Sequence, residues 1–371
     1  MYQVFRPYIT DAEIKAVTEV LRSRWIGLGP KTAEFETAFA KYLGMAHCVM
    51  LNSCTAALDI ALKLCKISAG DKVLVPTMTF VSTAHAVCYQ GAIPVFVDCD
   101  DDLQMDLTDL MRKVDSRVRA IIVVHYGGRV NQWVHEIIDF CKKHNIWLIE
   151  DCAHAAGAMF NERPAGTFGD IGCFSFHAVK NLAAGDGGAI ITNDRRFASR
   201  AKRLRWLGID KGTWDRTADN KEYWWEYKVD EIGYKCHPND ILSAIGLEQL
   251  KRLDDANDKR RQIYEWYQQG LYDIPQVQLA PHDTNESQSA WHILWIKAMQ
   301  RDRLSVYLKE NGVNTGVHYK PIHLYGCYGN MPSLPNAEGL FKKILSLPMY
   351  PELEAKDIGF ICGKIKAFYE D

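Results

Sequence analysis

"VHEIIDFCKKHNIWLIED", residues 134–151, carries a helix pattern and a strand pattern back to back. In the first part, apolar residues recur at helical spacing among charged ones; in the second, Ile146 to Ile149 run on without alternation. A continuous apolar strand that follows a helix belongs to a sheet covered on both faces. The same unit recurs outward in both directions. Short β-rich runs stand at "CVML" (48–51), "KVLVP" (72–76), "IPVFVD" (93–98), "AIIVVH" (120–125), "GCFSF" (172–176) and "GAIIT" (188–192). Amphipathic stretches such as "TAALDIALKLC" (55–65) separate most of them. The expectation is an α/β fold whose large domain holds a mainly parallel, seven-stranded sheet between helices, with ligands bound at the carboxyl ends of the strands.

The 371 residues suit two domains. The alternation stops at "PNDILSAIGLEQLKRLDDANDKRRQIYEWYQQGL" (238–271), which reads as one long or broken helix. A polar turn region, "PHDTNESQSA" (281–290), follows, and then a smaller α/β part ending in the helix "AKDIGFICGKIKAFYED" (355–371). The division falls near residue 250, giving a large domain 1–249 and a small C-terminal domain 250–371. "GTWDRTADNKEYWWEYKV" (212–229) breaks the pattern and reads as a loop or short hairpin whose aromatics pack or meet an interface.

A net charge of −2 with 24% charged residues gives no basic footprint for nucleic acid and no polybasic segment for a membrane. No apolar run approaches the roughly 20 residues of a bilayer span, and "MYQVFRPYITDAEIKAV" lacks signal-peptide regions. The expectation is a cytoplasmic protein. The 11 cysteines contain no CxxC pair and read as reduced core residues. "DCAH" and "KCHP" lack paired zinc-ligand spacing, so no metal is expected.

Four features bear on chemistry. "NSCTAALDIAL" (52–62) opens a helix after a strand, so Ser53, Cys54 and Thr55 lie at its positive end; they either cap the helix or receive a phosphate. Asp151 ends a strand, where a carboxylate serves as a cap or holds a proton on a heteroaromatic nitrogen. Phe80 in "PTMTFVSTAHAV" follows a strand end and either joins the core or stacks on a flat ligand. Lys180 in "SFHAVKNLAAGDGG" (175–188) is a surface lysine or, desolvated near the sheet's mouth, a nucleophilic amine. Each alone fits the plainer alternative. Taken together they match the phosphate, ring face, ring nitrogen and aldehyde of pyridoxal phosphate.

Those motifs, with "RSRWIGLGPKTAEFETAFAKYLG", "GDKVLVPTMTFVSTA", "EDCAHAAGA", "NDILSAIGLEQL" and "HYKPIH" in order, resemble the DegT/DnrJ/EryC1/StrS sugar aminotransferases, which have the aspartate aminotransferase type I fold. The resemblance spans nearly the whole chain. It implies that Lys180 is the Schiff-base lysine and Asp151 the partner of the pyridine nitrogen. Ser175 and the Cys54–Thr55 segment would hold the phosphate, and Phe80 would cover a ring face. His154 stands where relatives usually have a glutamine that contacts the ring hydroxyl. Lys235, in "GYKCHP" where relatives read "GYNYRM", would reach the cofactor site of the partner subunit in a homodimer with shared active sites. Arg24, Trp25, His318, Tyr319 and His323 are candidate sugar-site residues, each equally open to packing or surface roles.

The implied reaction is a transamination in two halves. L-glutamate is the implied amino donor, leaving pyridoxamine phosphate, and a keto sugar on a nucleotide diphosphate is the acceptor. Relatives with histidine at the lysine position are sugar dehydratases, so Lys180 favours amine transfer. The "GYKCHPNDILSAIGLEQL" segment is closer to the form associated with 4-keto than 3-keto sugars. A cyclitol aminotransferase on the same fold, or a regulator that keeps the fold without catalysis, are the other readings.

Overall fold

The computed structural model describes residues 1–211 and 226–370, so most of the tryptophan-rich stretch 212–229 lies outside the described residues. Seven strands form the main sheet: β1 (His47–Leu51), β2 (Lys72–Pro76), β3 (Ile93–Val97), β4 (Val118–Val124), β5 (Trp147–Asp151), β6 (Ile171–Ser175) and β7 (Gly188–Thr192). Their order is β1-β7-β6-β5-β4-β2-β3. Only β7 runs against its neighbours. The rest are parallel, as the sequence led one to expect. β4 starts two residues before the run read from the sequence, because the exposed Arg119 interrupts its apolar pattern.

Alternate residues of the central strands feed separate cores, which is why those strands read as unbroken apolar runs. In β4, Ala120 and Ile122 join a core with helix α3 (Cys54–Leu64). Ile121 and Val123 pack on the opposite face with Ile137 and Cys141 of the helix Val134–His144. The quoted stretch therefore supplies both a strand and the helix that covers it. Nine of the eleven cysteines are buried and all are free; Cys88 and Cys327 are exposed.

The segment 238–271 is two helices, Asp240–Leu250 and Leu253–Leu271, broken where Arg252 leaves helical geometry. The break lets Gln249 and Arg252 both donate to the Tyr8 carbonyl, at 2.8 and 2.7 Å. Asn239 caps the first of these helices by accepting from the Leu242 amide. Asp240 turns the other way. Its carboxylate accepts from the amides of Gly29, Lys31 and Thr32 and from the Thr32 hydroxyl, all within 3.0 Å, and so holds the start of the helix Pro30–Tyr42. Asp240→Ala strands buried donors at that helix end. The expected cost is about 3 kcal/mol, read as a lower urea midpoint with unchanged slope.

The last third of the chain forms a three-stranded antiparallel sheet, β8 (Val277–Leu279), β9 (Leu294–Ala298) and β10 (Ile344–Leu347), in the order β8-β9-β10. The helix Leu253–Leu271 packs against the terminal helix Ala355–Glu370. The N-terminus is fastened here too: Tyr2 bonds to Gly312 and Asn314, and the Met349 amide donates to the Val4 carbonyl. In the polar turn region, Ser287–Gln288 pairs with Met159–Phe160 as a two-residue strand. Just beyond it, the amides of Ala290, His292 and Ile293 donate to the carbonyls of Gly127 and Gly128, which lie past the end of β4. Those bonds carry His292 to the carboxyl edge of the main sheet. Among the described residues, no helix is long and apolar enough to cross a membrane.

Candidate active site

At that edge lies a cavity of about 320 Å³. The loop between β6 and β7 projects Lys180 into it. This loop is tied at its neck: the Phe176 amide donates to Gly187, the Ala178 amide to Gly185, and the Ala184 amide to Phe176. Gly187 sits at φ +134°, a conformation that side-chain-bearing residues rarely adopt. The Lys180 amide donates to the His177 carbonyl at 2.8 Å, which turns the side chain inward. Burial is the main influence on its amine and lowers the pKa to about 8, against the pull of Asp151 and Cys54 toward the charged form. An amine so placed is unprotonated in about a tenth of molecules at pH 7, far more than an ordinary lysine, and the unprotonated form is the nucleophile. Pyridoxal phosphate should therefore condense with the cofactor-free protein at a rate that rises with pH through a midpoint near 8. A midpoint at the ordinary lysine value, followed by absorbance, would contradict this environment.

Asp151 and Glu150 end β5 and point to opposite faces. Asp151 faces the cavity and is 3% exposed. Thr83 Oγ1 donates to its Oδ2 at 2.8 Å and the Ala153 amide to its Oδ1 at 3.1 Å. Burial nonetheless raises its pKa. A protonated ring nitrogen beside it would supply the positive partner that the charged carboxylate lacks. Glu150 instead accepts from the amides of Gly166 and Gly169 and meets His125 Nε2 at 2.8 Å, while His125 Nδ1 accepts from the Asn131 amide. The buried group His125, Glu150 and Cys152 has metal-ligand chemistry, but the histidine and carboxylate atoms are committed to these bonds.

Across the cavity, α3 begins at Cys54, with Ser53 as its cap: the Ser53 hydroxyl accepts from the Ala56 amide at 3.1 Å. The capping alternative thus holds for Ser53 and leaves the amides of Cys54 and Thr55, in the first turn beside the cavity, without helical acceptors. A bridge between Ser53 and Gly187 sets this helix end against the start of β7. A Cβ on Gly188 would lie 2.4 Å from the Ser53 carbonyl carbon, so the approach demands glycine. Ser175, at the end of β6, lines the same end of the cavity.

The remaining candidates divide by position. Phe80 lines the cavity and is 55% exposed, a large apolar ring facing open space. His154 Nε2 meets the Tyr319 hydroxyl at 3.0 Å, and its Nδ1 is buried without a hydrogen-bond partner. His318 also lines the cavity, with Nδ1 2.8 Å from Ser346 Oγ and its pKa pushed down to about 4 by burial. His323 lies elsewhere, buried between Thr77 and Glu338. Arg24, Trp25 and Lys235 also stand apart from Lys180. They line a second cavity of about 320 Å³ with Trp206, over whose ring the Lys235 ammonium sits at 3.7 Å.

Two neighbours of the cavity's key groups went unread in the sequence. Thr83 fixes Asp151, and His292 Nε2 approaches Lys180 Nζ at 3.4 Å. The start of α4 (Ser82–Tyr89) just past β2 was the available signal for Thr83. A lone histidine entering an apolar strand gave none.

The residues present fit the cofactor. An orphaned buried nitrogen, a helix end with free amides and a desolvated amine surround one cavity of suitable size. Fold and cavity define the class: a pyridoxal-phosphate-dependent enzyme of the type I fold. Comparison with known proteins narrows it. The DegT/DnrJ/EryC1/StrS aminotransferase family model matches residues 7–366, and the chain belongs to that family of sugar aminotransferases. It is 37% identical to the spore coat polysaccharide biosynthesis protein SpsC of Bacillus subtilis, over 97% of this chain and 95% of that one. It is 34% identical to the dTDP-4-dehydro-2,3,6-trideoxy-D-glucose 4-aminotransferase of Saccharopolyspora spinosa, over 100% of this chain and 97% of that one. The aminotransferase TlmJ of Streptoalloteichus hindustanus superposes with a TM-score of 0.94 at 34% identity, covering 100% of this chain and 99% of that one.

Proposed function

We propose that this aminotransferase moves an amino group from L-glutamate to a C4 keto group of a nucleotide-linked keto-deoxysugar, for surface polysaccharide or glycan biosynthesis in the cytoplasm. The observation that carries the reading is the likeness, end to end, to an enzyme named for 4-amination of such a sugar. When bound, pyridoxal phosphate supplies an aldehyde that takes up the amino group and a ring that accepts electrons from the donor Cα. Lys180 would hold that aldehyde and, as a free amine, would serve as the base and acid that moves a proton at the donor Cα. Asp151, held by Thr83 and Ala153, would keep a proton on the ring nitrogen. The Cys54 and Thr55 amides and Ser175, which line the cavity, would hold the phosphate. His154, whose buried Nδ1 lacks a partner, would meet the ring hydroxyl, and Phe80 would cover a ring face.

The proposal includes a homodimer, in which Arg24, Trp25 and Lys235 serve the partner's cavity; their grouping away from Lys180 in one chain supports that. His318 and Tyr319 take the sugar side of the cavity. A division into units near residue 250 belongs to the same reading, supported by the helix break at Arg252.

The test starts from the pyridoxamine phosphate form. It is mixed with 4-keto and 3-keto sugar nucleotides and keto cyclitols, and return of the aldehyde-form absorbance is followed. A response to 4-keto sugar nucleotides is expected. A response to cyclitols alone, or to 3-keto sugars alone, rejects the C4 reading. A parallel panel of amino acids against the aldehyde form tests glutamate as donor.

A further inference from the structure

Behind Lys180 runs a chain of side chains whose orientations are fixed from its far end. Carbonyl oxygens only accept hydrogen bonds, so each carbonyl in the chain assigns a donor. The Ala156 carbonyl receives Asn257 Nδ2 at 3.0 Å, which turns Asn257 Oδ1 toward Asn181. Asn181 Nδ2 donates to that oxygen at 2.8 Å and to the Ala290 carbonyl at 2.5 Å. Asn181 Oδ1 therefore faces His292 Nδ1, 3.1 Å away, and Nδ1 carries the imidazole proton. What remains is the lone pair of His292 Nε2, 3.4 Å from Lys180 Nζ.

The imidazole is also held in place. Phe5 stacks on it, with centroids 5.0 Å apart and planes 12° from parallel, and His292 is 2% exposed. A Cβ on Gly157 would lie 2.3 Å from Asn257 Nδ2, so the far end of the chain needs glycine there. Asn181, Asn257 and His292 are all buried, which makes each of these bonds costly to break.

We infer that His292 is the positioning partner of Lys180: its Nε2 lone pair holds the lysine amine, in one orientation beside the cavity, whenever that amine is not bonded to the cofactor aldehyde. The inference rests on the reading of Lys180 as the cofactor-bonding lysine. A transaminase must release and recapture its lysine in every half-reaction, and a free four-carbon side chain loses orientation when released. An acceptor beside the free amine limits that loss.

The charged and titratable groups around the pair are consistent with an acceptor role. Burial is the main cause that holds His292 well below the usual imidazole range, and Lys180, His154, Arg260 and His318 oppose its charging. It stays neutral. Around Lys180, Asp151 and Cys54 favour the ammonium, while His154 and His318 are themselves kept neutral.

The test uses the full-length cofactor-free protein as wild type, His292→Phe and His292→Gln. The rate of condensation with pyridoxal phosphate is followed by absorbance across pH. Removing an acceptor disfavours the ammonium, so His292→Phe should move the midpoint down by about one pH unit. Glutamine restores an acceptor oxygen and should return it to the wild-type value. Nitrogen-15 NMR of the wild type, with the His292 signals identified by their loss in His292→Gln, should show Nδ1 protonated and Nε2 bare. An unmoved midpoint in His292→Phe, or a proton on Nε2, overturns the inference while the role of Lys180 stands. Borohydride fixing no cofactor on wild-type Lys180 would instead sink the reading of the site, and this inference with it. If His292→Phe does not fold, the NMR measurement alone decides.

Discussion

Lys180→Ala should lower transamination by roughly 10⁴-fold or more, since proton transfer by a positioned group is itself worth about 10²–10⁴-fold and this residue also anchors the aldehyde. The variant should still bind pyridoxal phosphate reversibly, through the phosphate and ring contacts. Stability separates the chemical role from a structural one. The folded-state pKa of Lys180 is about 8, below its usual 10.5, so between those values the unfolded chain binds more protons. The wild-type cofactor-free protein therefore gains stability as pH rises through that window and loses it as pH falls toward 8. Lys180→Ala lacks this slope and should be at least as stable as wild type near neutrality. Urea midpoints at several pH values test the sign. A destabilised variant with the same pH slope would mean that Lys180 is packed for structure.

Asp151→Asn should lower turnover by roughly 10²–10³-fold, the usual cost of removing a preorganised electrostatic stabiliser. Asparagine has the same shape: its Oδ1 can still accept from the Ala153 amide, and its Nδ2 can donate to the Thr83 hydroxyl, whose own proton turns to Thr79, so the fold should survive. It cannot carry the charge that holds a proton on the ring nitrogen. Cofactor should load onto Lys180 in this variant, as mass spectrometry after borohydride would record, while steady-state rates collapse. Nearly wild-type rates would remove Asp151 from its proposed place. The two variants thus differ in a readable way: Lys180→Ala binds the cofactor but cannot bond to it, and Asp151→Asn bonds to it but uses it poorly.

What the sequence disclosed, and what it hid, follows from the range of the interactions. That Lys180 and Asp151 reach one cavity was legible because Asp151 ends an apolar strand and Lys180 follows another by five residues, and strand ends on one edge of a parallel sheet converge. The Cys54–Thr55 amides were legible because a helix start is a local pattern. His292 was hidden, since nothing local distinguishes a polar residue beside a site from one that merely packs, whereas the helix start at Ser82 was a usable signal for Thr83. His323 and His318 look alike in the sequence because the partners of His323, Thr77 and Glu338, lie far along the chain. Apart from the Tyr2 hydroxyl on Asp357, the fastening of Tyr2 and Val4 to the last third of the chain runs through backbone atoms, which every residue has. Ser287–Gln288 joins Met159–Phe160 over two polar residues, too short for any periodicity. The fold class survives such gaps because it rests on seven strands and not on any single pairing.

The central claim is that Lys180, on its tied loop between β6 and β7, is the group that bonds to pyridoxal phosphate. The direct measurement is borohydride reduction of the cofactor-loaded protein, followed by digestion and mass mapping of the modified peptide. The expected result is one phosphopyridoxyl group per chain, on Lys180, and none in Lys180→Ala. A modification on another lysine, or an equal modification of Lys180→Ala, would contradict the account.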